Sequence, residues 1–380
     1  MFSARSPGRE FVKLSRPPGS VLLIATRLIG DVLLNTPLLR SMRRSWPEAR
    51  IDMLVFSGTA EILAGNPDCD EVITVDTRAD AASTRKLLGR LWRRYDLAVT
   101  TQGGDRPYLY ALLAARRRLG LIGDLDWKST WKRVLAECVP LDNLHTHTVV
   151  QNLILAERLG ISPVFEVVPP HDSTAETCLD QTLPFDWRNE PFAVLHPFPN
   201  WRYKRWTEAG WQGLLAHLRD RGWRVVLSGG PDAEERSSCA ALASGWTDMV
   251  TNLAGGASFG TLSRLLAEAR CYVGPDTSTT HLAAACGTPT VALYGPSNPV
   301  KWGPWPKGCN TIPSPWMTSA SPWQQSGNVL ILQGDEECVP CLHEGCDRHR
   351  QSLSRCLTEL PATKVVAAVE FLLTGMAAHD

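Results

Sequence analysis

The stretch VGPDTSTTHLAAACGTPTVALYGPSNP, Val273 to Pro299, decides the fold. An apolar run ends at Asp276, the small hydroxyl residues Thr277 through Thr280 open a short helix, and Gly287 with Pro289 closes it before the next apolar run. Strand, helix and strand in so short a span form a crossover unit, which joins parallel strands.

Working outward, the alternation continues. FAVLHPF from Phe192, WRVVLSGG from Trp223, MVTNLAG from Met249 and RCYVGPD from Arg270 read as strands separated by helical segments. The first half shares this layer pattern but not the sequence, with VLLIAT from Val21, IDMLVF from Ile51, EVITVD from Glu71 and DLAVTT from Asp96. The prediction is an α/β protein with two doubly wound parallel sheets. A chain of 380 residues exceeds what one hydrophobic core usually supports, which fits two domains. The expected boundaries are a loose arm over 1–20, a first domain over 21–161, and a proline-rich linker over 162–191. A second domain over 192–361 and a C-terminal helix over 362–380, able to pack on either domain, complete the chain. Lys301 through Asn328, rich in Pro, Trp, Ser and Gly, is expected to be irregular.

Composition narrows the function. The 39 Lys and Arg balance 39 Asp and Glu, which is not the profile of a nucleic-acid binder. No apolar run reaches the roughly 20 residues that span a bilayer, and the first twenty residues lack the apolar core of a secretory signal, so a cytoplasmic protein is expected. Of the 11 cysteines, those between Cys69 and Cys309 are scattered through core elements and read as reduced.

Four segments carry chemistry. In TRLIGDVLLNTPLLRSMRR from Thr26, Gly30 stands where the backbone turns from strand to helix and Asp31 near the helix N-terminus. Asp31 reads as an N-cap, as a carboxylate able to accept a proton from a substrate hydroxyl, or as both. In NWRYKRWTEAGW, Asn200 to Trp211, Thr207 caps a helix with an apolar stripe of Trp211, Leu214, Leu215 and Leu218, and Trp206 with Trp211 has staple spacing. Lys204 is then either held at a helix N-terminus, where it can meet a diphosphate, or part of a solvated basic loop. In the opening stretch, Asp276 reads as a cap or a ligand contact, and His281 as a core histidine or a ligand. Backbone N–H groups near Thr277 and Ser278 are free to receive phosphate oxygens. In LSGGPDAEERSS, Leu227 to Ser238, Glu234 or Glu235 can accept from ribose hydroxyls or simply favour the helix start. Neither half has a clear G-x-G-x-x-G after its first strand, which argues against a dinucleotide oxidoreductase. A silent binding protein on the same scaffold is disfavoured by Asp31, Lys204 and Asp276 occurring together.

Taken together, these segments resemble the ADP-heptose:lipopolysaccharide heptosyltransferases of glycosyltransferase family nine, from about Val21 to the C-terminus. GDVLLNTPLLRSMRR and DTSTTHLAAACGTPTVALYGPSNP carry the resemblance most specifically. The resemblance implies a GT-B fold of two Rossmann-like domains facing across a cleft, the first taking the acceptor and the second the nucleotide sugar. It implies an inverting reaction that needs no cofactor. Asp31 matches the catalytic base, Lys204 the lysine on the donor phosphate, Asp276, Thr277, Ser278 and His281 the donor motif, and Glu235 the ribose acid. Ser278 stands where many members have Gly. The implied partners are an ADP-sugar donor and a lipopolysaccharide core acceptor. An acceptor of this kind also suggests peripheral contact with an anionic membrane through Arg43 and Arg44, Arg116 through Arg118, and Lys128 with Lys132 and Arg133.

A last cluster is CVPCLHEGCDRHRQSLSRC. Cys338, Cys341, Cys346 and Cys356, with His343 or His349, suffice for a structural zinc, although a second C-x-x-C is missing. Reduced packing cysteines and a disulfide are the other readings.

Overall fold

The computed structural model describes residues 16–123 and 130–377. The chain divides into two compact units, one built from residues up to Asn143 with Thr148–Glu166, the other from Leu144–His147 with Val167 onward.

In the first unit the elements run β1 (Ser20–Ile24), α1 (Ile29–Leu33), α2 (Thr36–Ser45), β2 (Arg50–Phe56), β3 (Glu71–Val75), α3 (Ala81–Leu91), β4 (Tyr95–Thr100), α4 (Asp105–Ala114), β5 (Ala115–Ile122), α5 (Thr130–Leu135), β6 (Glu137–Pro140) and α6 (Thr148–Arg158). The sheet order is β3-β2-β1-β4-β5-β6, with every pair parallel. This is the dinucleotide-fold order, which reverses between β1 and β4. Val21 through Ile24 are fully buried because both faces of the sheet are covered by helices. β5 and β6 were not among the predicted strands. The run Arg116 to Arg118 hides the apolar character of β5, yet Leu119, Leu121 and Ile122 behind it are core.

The second unit comprises α7 (Ala175–Thr182), β7 (Phe192–Leu195), α8 (Glu208–Asp220), β8 (Arg224–Leu227), α9 (Ala233–Ser244), β9 (Val250–Asn252), α10 (Phe259–Glu268), β10 (Cys271–Pro275), α11 (Ser278–Cys286), β11 (Thr290–Tyr294), α12 (Pro299–Trp302), β12 (Trp323–Ser326), β13 (Val329–Gln333), α13 (Arg355–Thr358) and α14 (Ala362–Ala377). Its sheet runs β12-β13-β11-β10-β7-β8-β9, parallel except for the edge strand β12, and reverses between β7 and β10. The predicted stripe of α8 is buried: Trp211, Leu214, Leu215 and Leu218 pack with Val225, Leu293 and, from α14, Val365, Val369 and Leu372. Each such side chain contributes roughly 1.5–3 kcal/mol of burial. The C-terminal helix therefore belongs to the second unit.

The proline-rich stretch 162–191 is not one extended linker. The chain passes between units at Glu166–Val167, and beyond it α7 is folded onto the second unit, where Arg264 bridges Glu176 at 2.8 Å and Glu268 at 2.7 Å. Prolines interrupt periodicity there, yet Val167, Leu179 and Trp187 are buried. Leu144–His147 also joins the second unit, where His147 Nε2 meets the Gly303 carbonyl at 2.7 Å and Asn298 Nδ2 donates to the Leu144 carbonyl at 2.9 Å. The irregular stretch after α12 carries the buried Trp305 and Trp316 and ends in β12, which was not anticipated. No helix among the described residues is long and apolar enough to cross a membrane.

Candidate active site

In the first unit, α1 starts directly behind β1, at the carboxyl end of the strand beside the point where the strand order reverses. Ligands of open α/β sheets bind at such points. Leu28 occupies the N-cap and makes no side-chain cap bond, so Asp31 is a residue of the first turn and not the cap. Gly30 lies inside α1 and takes no left-handed turn. The Asp31 carboxylate is 9% exposed and faces Arg27, whose Nε lies 3.2 Å from Oδ2. Asn35 Nδ2 donates to the Asp31 carbonyl at 2.7 Å, and Thr26 Oγ1 donates to Gln102 Oε1 at 3.0 Å across the ends of β1 and β4. A nearly buried carboxylate in the first turn of the helix that follows β1 is a candidate proton acceptor for a bound hydroxyl.

The second unit assembles the larger constellation. β7 and β10 are neighbours, with Leu195 opposite Val273, and the segments that follow them converge at the reversal point. Lys204 sits on a short 3-10 turn, Arg202–Lys204. Behind it Thr207 caps α8 by accepting from the Gly210 amide at 3.0 Å, and Trp206 packs edge-on against Trp211 with centroids 5.0 Å apart. The predicted cap and staple thus fix where this loop enters the helix. Residue 210 has to be glycine, because a Cβ there would lie 2.3 Å from the Trp206 ring.

Lys204 is not solvated. Its Nζ donates to Asp276 Oδ2 at 2.6 Å and to the Asp276 carbonyl at 3.1 Å, and lies 5.0 Å from the Trp201 ring centroid. Ser297 Oγ donates to the same Oδ2 at 2.6 Å, and Tyr294 donates to Oδ1 at 3.3 Å. Asp276 is therefore the hub of an ion-paired network and not a cap. Burial alone would raise its carboxyl, but the Lys204 charge and the hydrogen bonds of Lys204 and Ser297 hold it below the usual range.

Thr277 takes the cap of α11, accepting from the Thr280 amide at 3.4 Å, and Ser278 is the first helical residue. Gly287 ends the helix at φ +90°, a conformation that favours glycine. His281 Nε2 lies 3.9 Å from Asp276 Oδ1, while its Nδ1 is buried without a hydrogen-bond partner. Burial pushes this imidazole down to about 4, so it is neutral at pH 7. The result is a lysine–aspartate pair beside the N-terminus of a nine-residue helix, where an anion would meet the helix amides and share the lysine with Asp276.

The two glutamates separate clearly. Asp232 caps α9 by accepting from the Glu234 amide at 2.9 Å. Glu234 is exposed and pairs with Arg205 at 2.8 Å. Glu235 is buried behind the glycine turn, where burial raises its carboxyl. His196 stands 3.8 Å from it and meets Ser228 Oγ through Nδ1 at 3.1 Å. His196, Ser228, Tyr294 and Ser297 were not singled out in sequence. The signal for His196 was available, since it is a polar residue at the carboxyl end of a buried strand, as Asp276 is.

Of the basic clusters, Arg43 is paired with Asp70 at 2.6 Å, Arg44 with Glu166 at 3.6 Å, and the buried Lys132 with Asp105 at 2.7 Å. Lys132 is thus a structural cation and not a surface contact. Arg116 and Arg133 are exposed, and Lys128 lies outside the described residues. Cys338 and Cys346 are exposed, Cys341 is half-buried, Cys356 is buried, and all four are free thiols. Among the described residues no group of three or more His, Cys, Asp or Glu side chains is placed to hold a metal ion.

The model of glycosyltransferase family 9 (heptosyltransferase) matches residues 84–349, well over half of the chain. The chain belongs to this family. It is a glycosyltransferase. Relatives of this family 9 enzyme include lipopolysaccharide heptosyltransferase 3 of Escherichia coli K12, 28% identical with 91% of this chain and 96% of the relative covered. Lipopolysaccharide heptosyltransferase 1 of Pseudomonas aeruginosa is 28% identical, with 93% and 98% covered. The solved E. coli ADP-heptose lipopolysaccharide heptosyltransferase II superposes with a TM-score of 0.71 at 20% identity, covering 94% of this chain and 99% of that one. A family 9 transferase from Veillonella parvula gives 0.72 at 18% identity, covering 97% and 100%. With the two strand orders above, this makes the fold class GT-B.

Proposed function

We propose that this family 9 transferase moves a heptose from ADP-heptose to a sugar hydroxyl of a lipopolysaccharide core, with inversion at the anomeric carbon. The observation that carries the reading is the Lys204–Asp276–Ser297 network beside the start of α11, at the reversal point of the second sheet. Relatives named as lipopolysaccharide heptosyltransferases and an E. coli heptosyltransferase solved with ADP support the choice of donor and acceptor.

In this reading the second unit holds the donor and the first the acceptor. The acceptor O–H attacks the anomeric carbon as the bond from that carbon to the diphosphate oxygen breaks, Asp31 takes the hydroxyl proton, and ADP leaves. Charge accumulating on the leaving diphosphate is met by Lys204 and by the amides at Thr277 and Ser278. Asp276 holds the lysine in place and shares it with the phosphate, His281 lines the same site as a neutral imidazole, and Glu235 accepts from the ribose hydroxyls. No cofactor enters these steps. A structural zinc at Cys338, Cys341, Cys346 and Cys356 would require those thiols to close around it, and it would not touch the sugar.

In the same reading the reaction takes place at the cytoplasmic face of the membrane, and the exposed Arg116 and Arg133 are among the residues that meet anionic headgroups. Vesicle binding that weakens with added salt is expected, and salt-insensitive binding would contradict this contact. Incubation with a panel of nucleotide sugars and delipidated core acceptors, read by mass spectrometry, tests the main reading. Transfer of heptose from ADP-heptose is expected, and transfer only from another nucleotide sugar would refute the assignment.

A further inference from the structure

The cysteine-rich segment 338–356 lies far from Lys204 in sequence but touches the loops that build its site. Ser354, only 2% exposed, donates through Oγ to the Tyr203 carbonyl at 2.7 Å. The Arg202 amide donates to the Arg350 carbonyl at 3.1 Å, and the Arg350 guanidinium lies 5.1 Å from the Trp201 ring centroid. Lys204 Nζ lies 5.0 Å from the centroid of that same ring. The segment can approach this closely because Gly345, at φ +86°, has no side chain, and a Cβ there would stand 2.9 Å from that of Tyr203.

The other end of the segment holds the second loop. The Leu342 amide donates to the Pro296 carbonyl at 2.9 Å, next to Ser297, whose hydroxyl reaches Asp276. Between the two contacts, the Cys346 amide donates to the Leu353 carbonyl at 2.9 Å and closes the segment on itself. Two of the three chain segments that meet at Asp276 are thus tied to one compact piece of chain.

We propose that segment 338–356 is a positioning element for the donor-phosphate site, with Ser354 as its principal positioning residue: it fixes the backbone of Tyr203 and so the reach of Lys204. A lysine on a short irregular turn has a long stem and many rotamers, and an anchored backbone at the preceding residue restricts where its ammonium can go. The inference rests on the reading of Lys204 as the lysine that meets the diphosphate.

The test is Ser354→Ala, which removes the hydroxyl that holds the Tyr203 carbonyl, measured by calorimetry with ADP and with adenosine; Arg350→Ala keeps the carbonyl that accepts from Arg202 and should leave both affinities within about 2-fold of the parent. Loss of one such hydrogen bond corresponds to roughly a 3- to 10-fold weaker affinity for ADP, with adenosine within about 2-fold of the parent, because adenosine has no phosphate for Lys204 to meet. A merely structural role would weaken both ligands alike, and that result, or no change in either, overturns the proposal. In a Lys204→Gln background, which keeps a donor to Asp276 but removes the charge, Ser354→Ala should have no further effect on ADP. An undiminished effect there refutes positioning through Lys204. If Lys204→Gln by itself leaves ADP affinity unchanged, the underlying reading of Lys204 fails, which is a different result from failure of the brace.

Discussion

Replacing Asp31 by Asn isolates its chemistry from its structural role. General base catalysis is worth about 10²- to 10⁴-fold, or roughly 3–5 kcal/mol of barrier. The share that the ion pair with Arg27 carries is much smaller. The Asp31 carboxylate pairs with Arg27, which is 47% exposed and can turn to solvent, so the pair is worth at most about 1 kcal/mol. Because Leu28 and not Asp31 holds the cap position, no cap is lost, and the amide fills the same volume. Turnover, followed as ADP release at saturating donor and acceptor, should fall at least about 100-fold. Unfolding midpoints should move by only a few degrees, roughly what 1 kcal/mol produces in a domain of this size. ADP affinity should be unchanged, since the residues proposed to hold the donor, Lys204, Glu235, Asp276, Thr277, Ser278 and His281, all belong to the second unit. Turnover within about 10-fold of the parent, in protein whose melting and ADP binding match the parent, would refute Asp31 as the base.

Other expectations follow from the same geometry. Lys204→Ala should weaken ADP binding, slow transfer and cost up to about 3 kcal/mol of stability by leaving the largely enclosed Asp276 carboxylate without its cation; adding Asp276→Asn should restore the midpoint in urea but not the affinity. Glu235→Gln should erase the preference for ADP over its 2′-deoxy analogue while Glu234→Gln does not, and equal effects of the two would remove Glu235 from the ribose site. Burial holds the His196 and His281 imidazoles down to about 4 and that of His147 down to about 3. The unfolded chain therefore binds more protons below about pH 6.5, and stability should fall from there towards pH 4 by on the order of 1 kcal/mol per pH unit for each histidine. A flat urea midpoint over that range would show that these rings are not held neutral. Elemental analysis of protein purified without added metal decides the cysteine cluster, where stoichiometric zinc supports a structural site and its absence with full activity removes it.

The readable parts of this sequence were those whose partners are close in the chain. Thr207 with Gly210 and Trp206 with Trp211 are contacts within five residues, Gly287 is the cap directly behind α11, and residue type alone specifies them. The reading stayed open where a shift of one residue changes a role. Asp276 and Thr277 are both good caps, and since α11 begins at Ser278 the cap falls to Thr277. That single-residue difference leaves both carboxylate oxygens of Asp276 free of the helix, to accept from Lys204, Ser297 and Tyr294. Lys204 reaches Asp276 only because β7 lies beside β10, and no local pattern encodes that strand order. Strand order also explains why His196 escaped notice, since its neighbour Ser228 follows β8 and its neighbour Glu235 lies on α9. Periodicity reports which face of an element is buried, whereas the site is made at the ends of strands, where burial is partial and the alternation stops. The polar residues found there look like caps or loop residues until the sheet order assigns their neighbours. An isolated capping aspartate and a paired lysine hub thus have the same local sequence, and the difference between them lies in the reversal between β7 and β10.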